Sequence, residues 1–203
     1  MQVHMKFINC FTLSIYLFFT FVSTANSATT KSTHNENDQA IINVTFSGFN
    51  ELHIIGADRD NDKNLRWAVW NQASSQDMMV VKLALVEKST KGPVVHYTLE
   101  RKDAYDSDIN RIVEWHYGKH PVLAFTYHMG AAAQQLELYG IDDNNQPVQL
   151  DERLGEVIGW VIDSQGRTLL GVYTKPEGRL SPTWYRWDEK SHSLIENDNT
   201  EIR

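Results

Sequence analysis

Three groups of residues in this chain have types and spacings that could do chemistry. The sharpest is Asp58-Arg59-Asp60-Asn61-Asp62. Alternating carboxylates on one loop can wrap a hard cation, because Ca²⁺ takes six to eight oxygen ligands. Asp58, Asp60 and Asp62 are therefore the candidate metal ligands, with Ca²⁺ as the ion. Lys63 and Arg66 place two cations beside them, which opposes binding, and a solvated hairpin turn is the simpler reading. The second group is His116 and His120, which flank Tyr117-Gly118-Lys119, with His128 one strand further on. Two imidazoles facing each other across a turn, plus a third, could bind Zn²⁺ or Cu²⁺. Lys119 stands against that, and ordinary surface or core histidines account for the pattern as simply.

The third group is aromatic. The chain has 6 tryptophans, and indole faces stack on sugar rings and bury large areas. Trp67 and Trp70 are three residues apart, as are Trp184 and Trp187. On a strand, odd spacing sends side chains to opposite faces. Neither pair can form a platform alone, and one member of each is left as a candidate for the surface. Carboxylates such as Glu114 and Glu137 could serve as general acids, but nothing distinguishes them from ordinary strand residues. There is no G-x-S-x-G elbow, phosphate-cradling glycine loop or dinucleotide fingerprint. The expectation is a non-catalytic protein with no catalytic or cofactor-binding residue to name.

The elements that would position these groups are short strands. Runs rich in Val, Ile, Leu, Tyr and Trp recur about every ten residues between turn clusters, the signature of an all-β domain. From Glu51 onward they are Glu51–Ala57, Leu65–Asn71, Met78–Glu87, Val94–Leu99, Arg111–Trp115 and Val122–Tyr127. They continue with Gln135–Ile141, Val148–Asp151, Val157–Ile162, Thr168–Tyr173, Thr183–Trp187 and Leu194–Glu196. An earlier run, Ile41–Ser47, could help to close the structure.

The runs repeat. At an offset of 46, Leu123 falls on Leu169, Tyr127 on Tyr173, Tyr139 on Tyr185, Asp142 on Asp188 and Val148 on Leu194. A looser copy precedes these, with Pro93 where the next copy has Pro147. Three four-stranded units are expected, roughly 51–100, 109–152 and 155–197, and a repeat of this length is a structural unit that buries its faces against its neighbours. The last unit, Val157-Ile-Gly-Trp-Val-Ile-Asp-Ser-Gln-Gly-Arg-Thr-Leu-Leu-Gly-Val-Tyr173 followed by Trp184-Tyr-Arg-Trp-Asp188, resembles a blade of TolB-type and WD-like β-propellers. The resemblance implies antiparallel, propeller-like blades, although Asp163-Ser164-Gln165-Gly166 replaces the usual Ser-Pro-Asp-Gly turn. Closed propellers carry at least four blades, so three units leave faces and edges that invite association. The alternative is a β-trefoil, which three four-stranded repeats would close. The Asp58–Asp62 loop also resembles a degenerate EF-hand loop, with Lys63 at its Gly position and Val69 where the bidentate Glu belongs.

The ends and the charge bound the rest. Lys6, an apolar run from Phe7 to Val22, and Ser23-Thr24-Ala25-Asn26-Ser27-Ala28 have the three parts of a secretory signal peptide over residues 1–28. Residues 29–40 read as a polar leader, 41–197 as one all-β repeat domain and 198–203 as a tail. The single cysteine, Cys10, lies in the signal, so the mature chain would hold no thiol. That leans toward a periplasmic or extracellular protein of a bacterium. A formal net charge of −7, one unit more negative without Lys6, argues against nucleic acid and, after signal cleavage, against a membrane. A protein partner or a second copy is the expected partner, and the alternative is a carbohydrate-binding or weakly carbohydrate-active protein. N-terminal sequencing of the exported protein should find a chain beginning at Asn26 or Ala28; an intact Met1 would remove the export reading.

Overall fold

The computed structural model describes residues 50–57, 64–73, 79–130, 132–175 and 178–197. The expected signal, leader, Ile41–Ser47 run, C-terminal tail, and Asp58, Asp60 and Asp62 all lie outside these residues. Among the described residues, twelve strands follow one another. The first four are β1 (Asn50–Gly56), β2 (Leu65–Ala73), β3 (Met79–Glu87) and β4 (Val94–Lys102). Next come β5 (Ala104–Tyr117), β6 (His120–Met129), β7 (Ala133–Ile141) and β8 (Pro147–Gly155). The last are β9 (Val157–Ile162), β10 (Thr168–Thr174), β11 (Ser181–Asp188) and β12 (Ser193–Glu196). Each set of four forms its own antiparallel meander, here called sheets 1, 2 and 3, and no sheet closes into a barrel. The three-unit reading of the sequence is met strand for strand.

The patterning explains which strands lie inside. β3 (MVVKLALVE) and β6 (HPVLAFTYHM) are nearly continuous apolar runs, and both are buried on both faces. β4, at an edge of sheet 1, alternates between partly buried and exposed residues from Tyr97 onward, as a strand covered on one side does. Turn chemistry closes the hairpins. Asp142 Oδ1 accepts from the backbone N–H of Asn144 and Gln146, each at 2.8 Å. Asp163 Oδ1 does the same for Gln165 and Arg167, at 2.8 and 2.9 Å. In both turns the fourth residue is left-handed, Asn145 at φ 60° and Gly166 at φ 77°, a conformation that Asn and Gly tolerate.

Sheet 2 is the centre of the stack because its alternate residues serve two cores. Leu123, Phe125 and Tyr127 of β6 join Trp67, Val69, Leu83 and Leu85 of sheet 1. Val122 and Ala124 of the same strand join Leu170, Val172, Trp187 and Leu194 of sheet 3. Long β5 serves both sides by bulging. Its register breaks between Tyr105 and Asp108 and again between Ile112 and His116. The second break leaves three extra residues on β5, and an odd number reverses the alternation, so Trp115 joins Ile112 in the core facing sheet 3, while Ile109 faces sheet 1.

The repeat is real, but its ungapped alignment slips in places. Ala124 pairs with Leu138 in sheet 2, and Gly171 pairs with Trp184 in sheet 3. The second strands therefore correspond at an offset of 47 and the third strands at 46. Tyr139 and Tyr185 are equivalent, as are the turn residues Asp142 and Asp188. Leu123 matches Leu170 rather than Leu169, and Tyr127 and Tyr173 lie on opposite faces of their sheets. The fourth strands slip as well: Pro147 pairs with Ile141 and Leu194 with Trp187, so Leu194 answers to Pro147 rather than Val148. A one-residue slip inverts a strand, and apolar residues on both faces of β6 and β10 hide it in the sequence.

Gly140 tests how closely sheet 2 is packed. A Cβ there would lie 2.5 Å from Cγ of Tyr117, whose ring covers the glycine. Gly140→Ala should destabilise the fold by about 1–3 kcal/mol, read as a drop in thermal midpoint of several degrees, because the Tyr117 ring must swing away.

Candidate functional site

Two places concentrate the chemistry. The first lies between sheets 1 and 2. Glu137 and Tyr139 are two apart on β7 and so share a face, and Tyr127 is a diagonal neighbour on β6. Tyr127 and Tyr139 each donate a hydroxyl to Glu137, at 2.6 Å to Oε1 and 2.6 Å to Oε2. Arg101 of β4 reaches across and grips the same carboxylate with two nitrogens, Nε at 2.8 Å and Nη2 at 3.0 Å. The Glu137 side chain is only 3% exposed, whereas that of Arg101 is 30% exposed. Four donors therefore meet one carboxylate, and each of its oxygens is satisfied twice.

The electrostatics follow. Burial alone would raise the Glu137 carboxyl, but hydrogen bonds from Arg101, Tyr127 and Tyr139 and the Arg101 charge hold it below the usual range. Burial, and then the hydrogen bond to Glu137 and its charge, push the Tyr127 and Tyr139 hydroxyls well above a free phenol. A carboxylate held ionised has no proton to give, and phenols held neutral do not attack. Glu137, one of the general-acid candidates, is thus an anchor that ties three strands of two sheets. Glu114, the other, is exposed and accepts from Thr168 Oγ1 at 2.9 Å.

The second place is the face of sheet 3 that points away from sheet 2. Gly159 and Gly171 are directly paired there, and aromatic rings lie over them. A Cβ on Gly171 would come within 2.6 Å of the Trp184 ring and 3.0 Å of Tyr173. The two rings meet edge to face at 5.9 Å and 77°, and both are partly exposed. Val161 is half-buried beside them, and Val157 at the rim is 46% exposed. A Lys175–Glu156 ion pair of 2.7 Å adjoins the rim. The edges of sheet 3 are less open than its face. Gln134 Oε1 accepts the Ile158 N–H at 2.7 Å, while Asp151 and Arg153 bind the N–H and C=O of Leu194 at 2.8 and 3.2 Å.

The tryptophans divide as the odd spacing requires. Trp67 is buried in the core between sheets 1 and 2, and Trp70 is buried on the opposite face of sheet 1. Trp187 stacks on Trp115 at 5.5 Å and 11° between sheets 2 and 3, leaving Trp184 as the outward member of its pair. The histidines do not converge. His120 and His128 stand near opposite ends of β6, roughly 26 Å apart at strand rise. Tyr105 stacks on His128 at 5.6 Å. Among the described residues, no three His, Cys, Asp or Glu side chains are grouped to hold a metal. The Arg101 clamp was not visible in the sequence, since it crosses between sheets. The glycine pair beneath Trp184 and Tyr173 had a local signal, Gly within two strand runs, which marks a close approach.

No family model matches the chain, and neither the curated proteins nor the solved structures include a match. Its function is therefore read from geometry.

Replacing Glu137 by Gln should cost about 3–5 kcal/mol, because it leaves Arg101 and two phenols around a group without charge. Tyr127→Phe should cost about 1–3 kcal/mol by orphaning one carboxylate lone pair. A carboxyl depressed in the folded chain contributes stability above its free value of 4.5 and loses it as pH falls through the folded value. Denaturant midpoints should therefore decline below about pH 4.5, and Glu137→Gln should flatten that part of the decline.

Proposed function

We propose that this chain is an exported, non-catalytic recognition module of the periplasm or cell exterior, which presents the outer face of sheet 3 to a protein partner. The observation that carries the reading is the contrast between the two candidate sites. The carboxylate cluster is buried and saturated, while the Trp184–Tyr173 face is apolar and aromatic, with both rings partly exposed beside buried Leu169. Partly exposed aromatic residues on a rigid sheet are what recognition surfaces use, because large side chains with few rotatable bonds lose little entropy on binding. Repeat scaffolds commonly present such surfaces. The signal-like N-terminus supports export.

The finer architecture we infer is propeller-like. Each unit keeps its four strands in a sheet of its own and stacks face against face, which favours blades; the units of a trefoil share strands in a common barrel. A carbohydrate ligand is the second reading, favoured by the indole and phenol beside a glycine floor, where a sugar ring could stack.

Trp184→Ala should lower affinity for the partner at least tenfold while Glu137, in its separate core, keeps the fold intact. Pull-down from envelope extracts with wild-type and variant protein checks this, alongside a glycan panel read by tryptophan fluorescence. A partner retained equally by both proteins would remove sheet 3 from the reading, and glycan binding lost with Trp184 would favour the second one.

A further inference from the structure

We infer that residues 41–47, which precede β1, form an extended strap across the outer face of sheet 1 and cap that end of the stack. The starting point is a burial that the described strands do not account for. On that face Ile54 is 8% exposed, Trp70 and Val86 are 2% exposed, and Ala68 and Ala84 are 0% exposed. These residues form a core cluster of their own, drawn from β1, β2 and β3 alone. Sheet 2 packs on the opposite face, against Trp67, Val69, Leu83 and Leu85. Strand side chains stand roughly perpendicular to their sheet, so an indole beside a residue as small as Ala68 is not covered by its own sheet. Trp70 also engages a hydrogen-bonding or ring partner, and no side chain of that cluster is one. Among the described residues, no fourth sheet is present to cover it.

The covered area has the dimensions of one extended chain. Thr98 and Glu100 of β4 are exposed, although they pair with Ala84 and Lys82. Val95 is 40% exposed, although it pairs with buried Val86. The cover therefore spans β1 to β3, about 10 Å, and stops before β4. Along β2 it runs from Trp70 to Arg66, the partner of Val86, which is four residues or about 13 Å. Ile42, Val44 and Phe46 alternate with Asn43, Thr45 and Ser47. An extended run from Ile42 to Phe46 has the same length, with apolar side chains on one side and polar ones on the other.

Position in the chain makes this run the occupant. The chain enters β1 at Asn50, which pairs with Asn71, the neighbour of Trp70. Ser47 and Gly48 supply turn residues for a reversal onto the face. Phe46 then falls by Trp70, Val44 over the shallow row of paired Ala68 and Ala84, and Ile42 by Val86. The competing segments lack apolar side chains: residues 29–40 have no large one, and residues 58–63, 74–78 and 198–203 have only Met78 and Ile202. Asn43, Thr45 and Ser47 would give the strap the polar outer surface that the terminal unit of a repeat stack requires.

Thiol accessibility in the mature protein, which without its signal holds no native cysteine, tests the strap. Ala84→Cys places a thiol beneath it, with Ala68→Cys as a second reporter, and a water-soluble maleimide should modify either slowly. Val44→Asp and Phe46→Asp should each raise that rate at least tenfold, whereas Asn43→Asp, on the outward side, should leave it unchanged. Ala124→Cys, in the core between sheets 2 and 3, reports on the rest of the fold and should stay slow with all three substitutions. Rapid modification of both reporters in the otherwise unchanged mature chain overturns the inference, as does a rate insensitive to both Asp substitutions in the strap. An equal rise at Ala124→Cys also overturns it, because the run would then support the whole core and not this face.

Discussion

The constraint on which this structure depends is that sheet 2 is apolar on both faces. A single antiparallel sheet in water can leave one side wet, but β6 carries Leu123, Phe125 and Tyr127 on one side and Val122 and Ala124 on the other. Fully burying each such side chain contributes about 1.5–3 kcal/mol, so sheet 2 requires a neighbour on each side. Sheets 1 and 3 supply them. The chain is therefore a stack, and every other feature is an adjustment to stacking.

Those adjustments differ between the two interfaces. Between sheets 2 and 3 the packing is aromatic and apolar, with Trp115 against Trp187 and, at 5.6 Å, against Trp160. Between sheets 1 and 2 an ionised carboxylate is sunk into the core and held by Arg101, Tyr127 and Tyr139. Desolvating such a group costs several kcal/mol, and the compensating bonds return about as much only when their geometry is good. The cluster therefore adds little net stability over an apolar core of the same shape. What it does restrict is register: only one alignment of β4 over β7 brings the Arg101 fork to Glu137. The aliphatic surfaces of the same interface would tolerate a shift more readily. Sheet 1 and sheet 2 are thereby locked by a polar contact and glued by apolar ones.

Stacking also frames the functional reading. A row of similar sheets has two end faces, and here they differ. The face at the sheet 1 end is closed from solvent, while that at the sheet 3 end keeps Trp184, Tyr173 and Val161 partly exposed beside buried Leu169. Gly159 and Gly171 leave room for those rings against the backbone, where Tyr173 and Trp184 meet edge to face.

Much of this was legible in the chain itself. The twelve strands, their grouping into three units and the opposite placement of Trp184 and Trp187 follow from period-two patterning and turn residues, which act over a few neighbours. The slip between Leu123 and its counterpart Leu170 escaped that logic, because strands apolar on both faces look alike in either phase. The Arg101–Glu137 clamp escaped it too: Glu137 and its tyrosines sit on one predicted hairpin, but the guanidinium arrives from a separate sheet. Which side chains at the two ends of the stack would stay partly exposed was equally hidden, since exposure depends on what covers a face. Local pattern determined the strands, and only the packing of one sheet on another decided which side chains share a site.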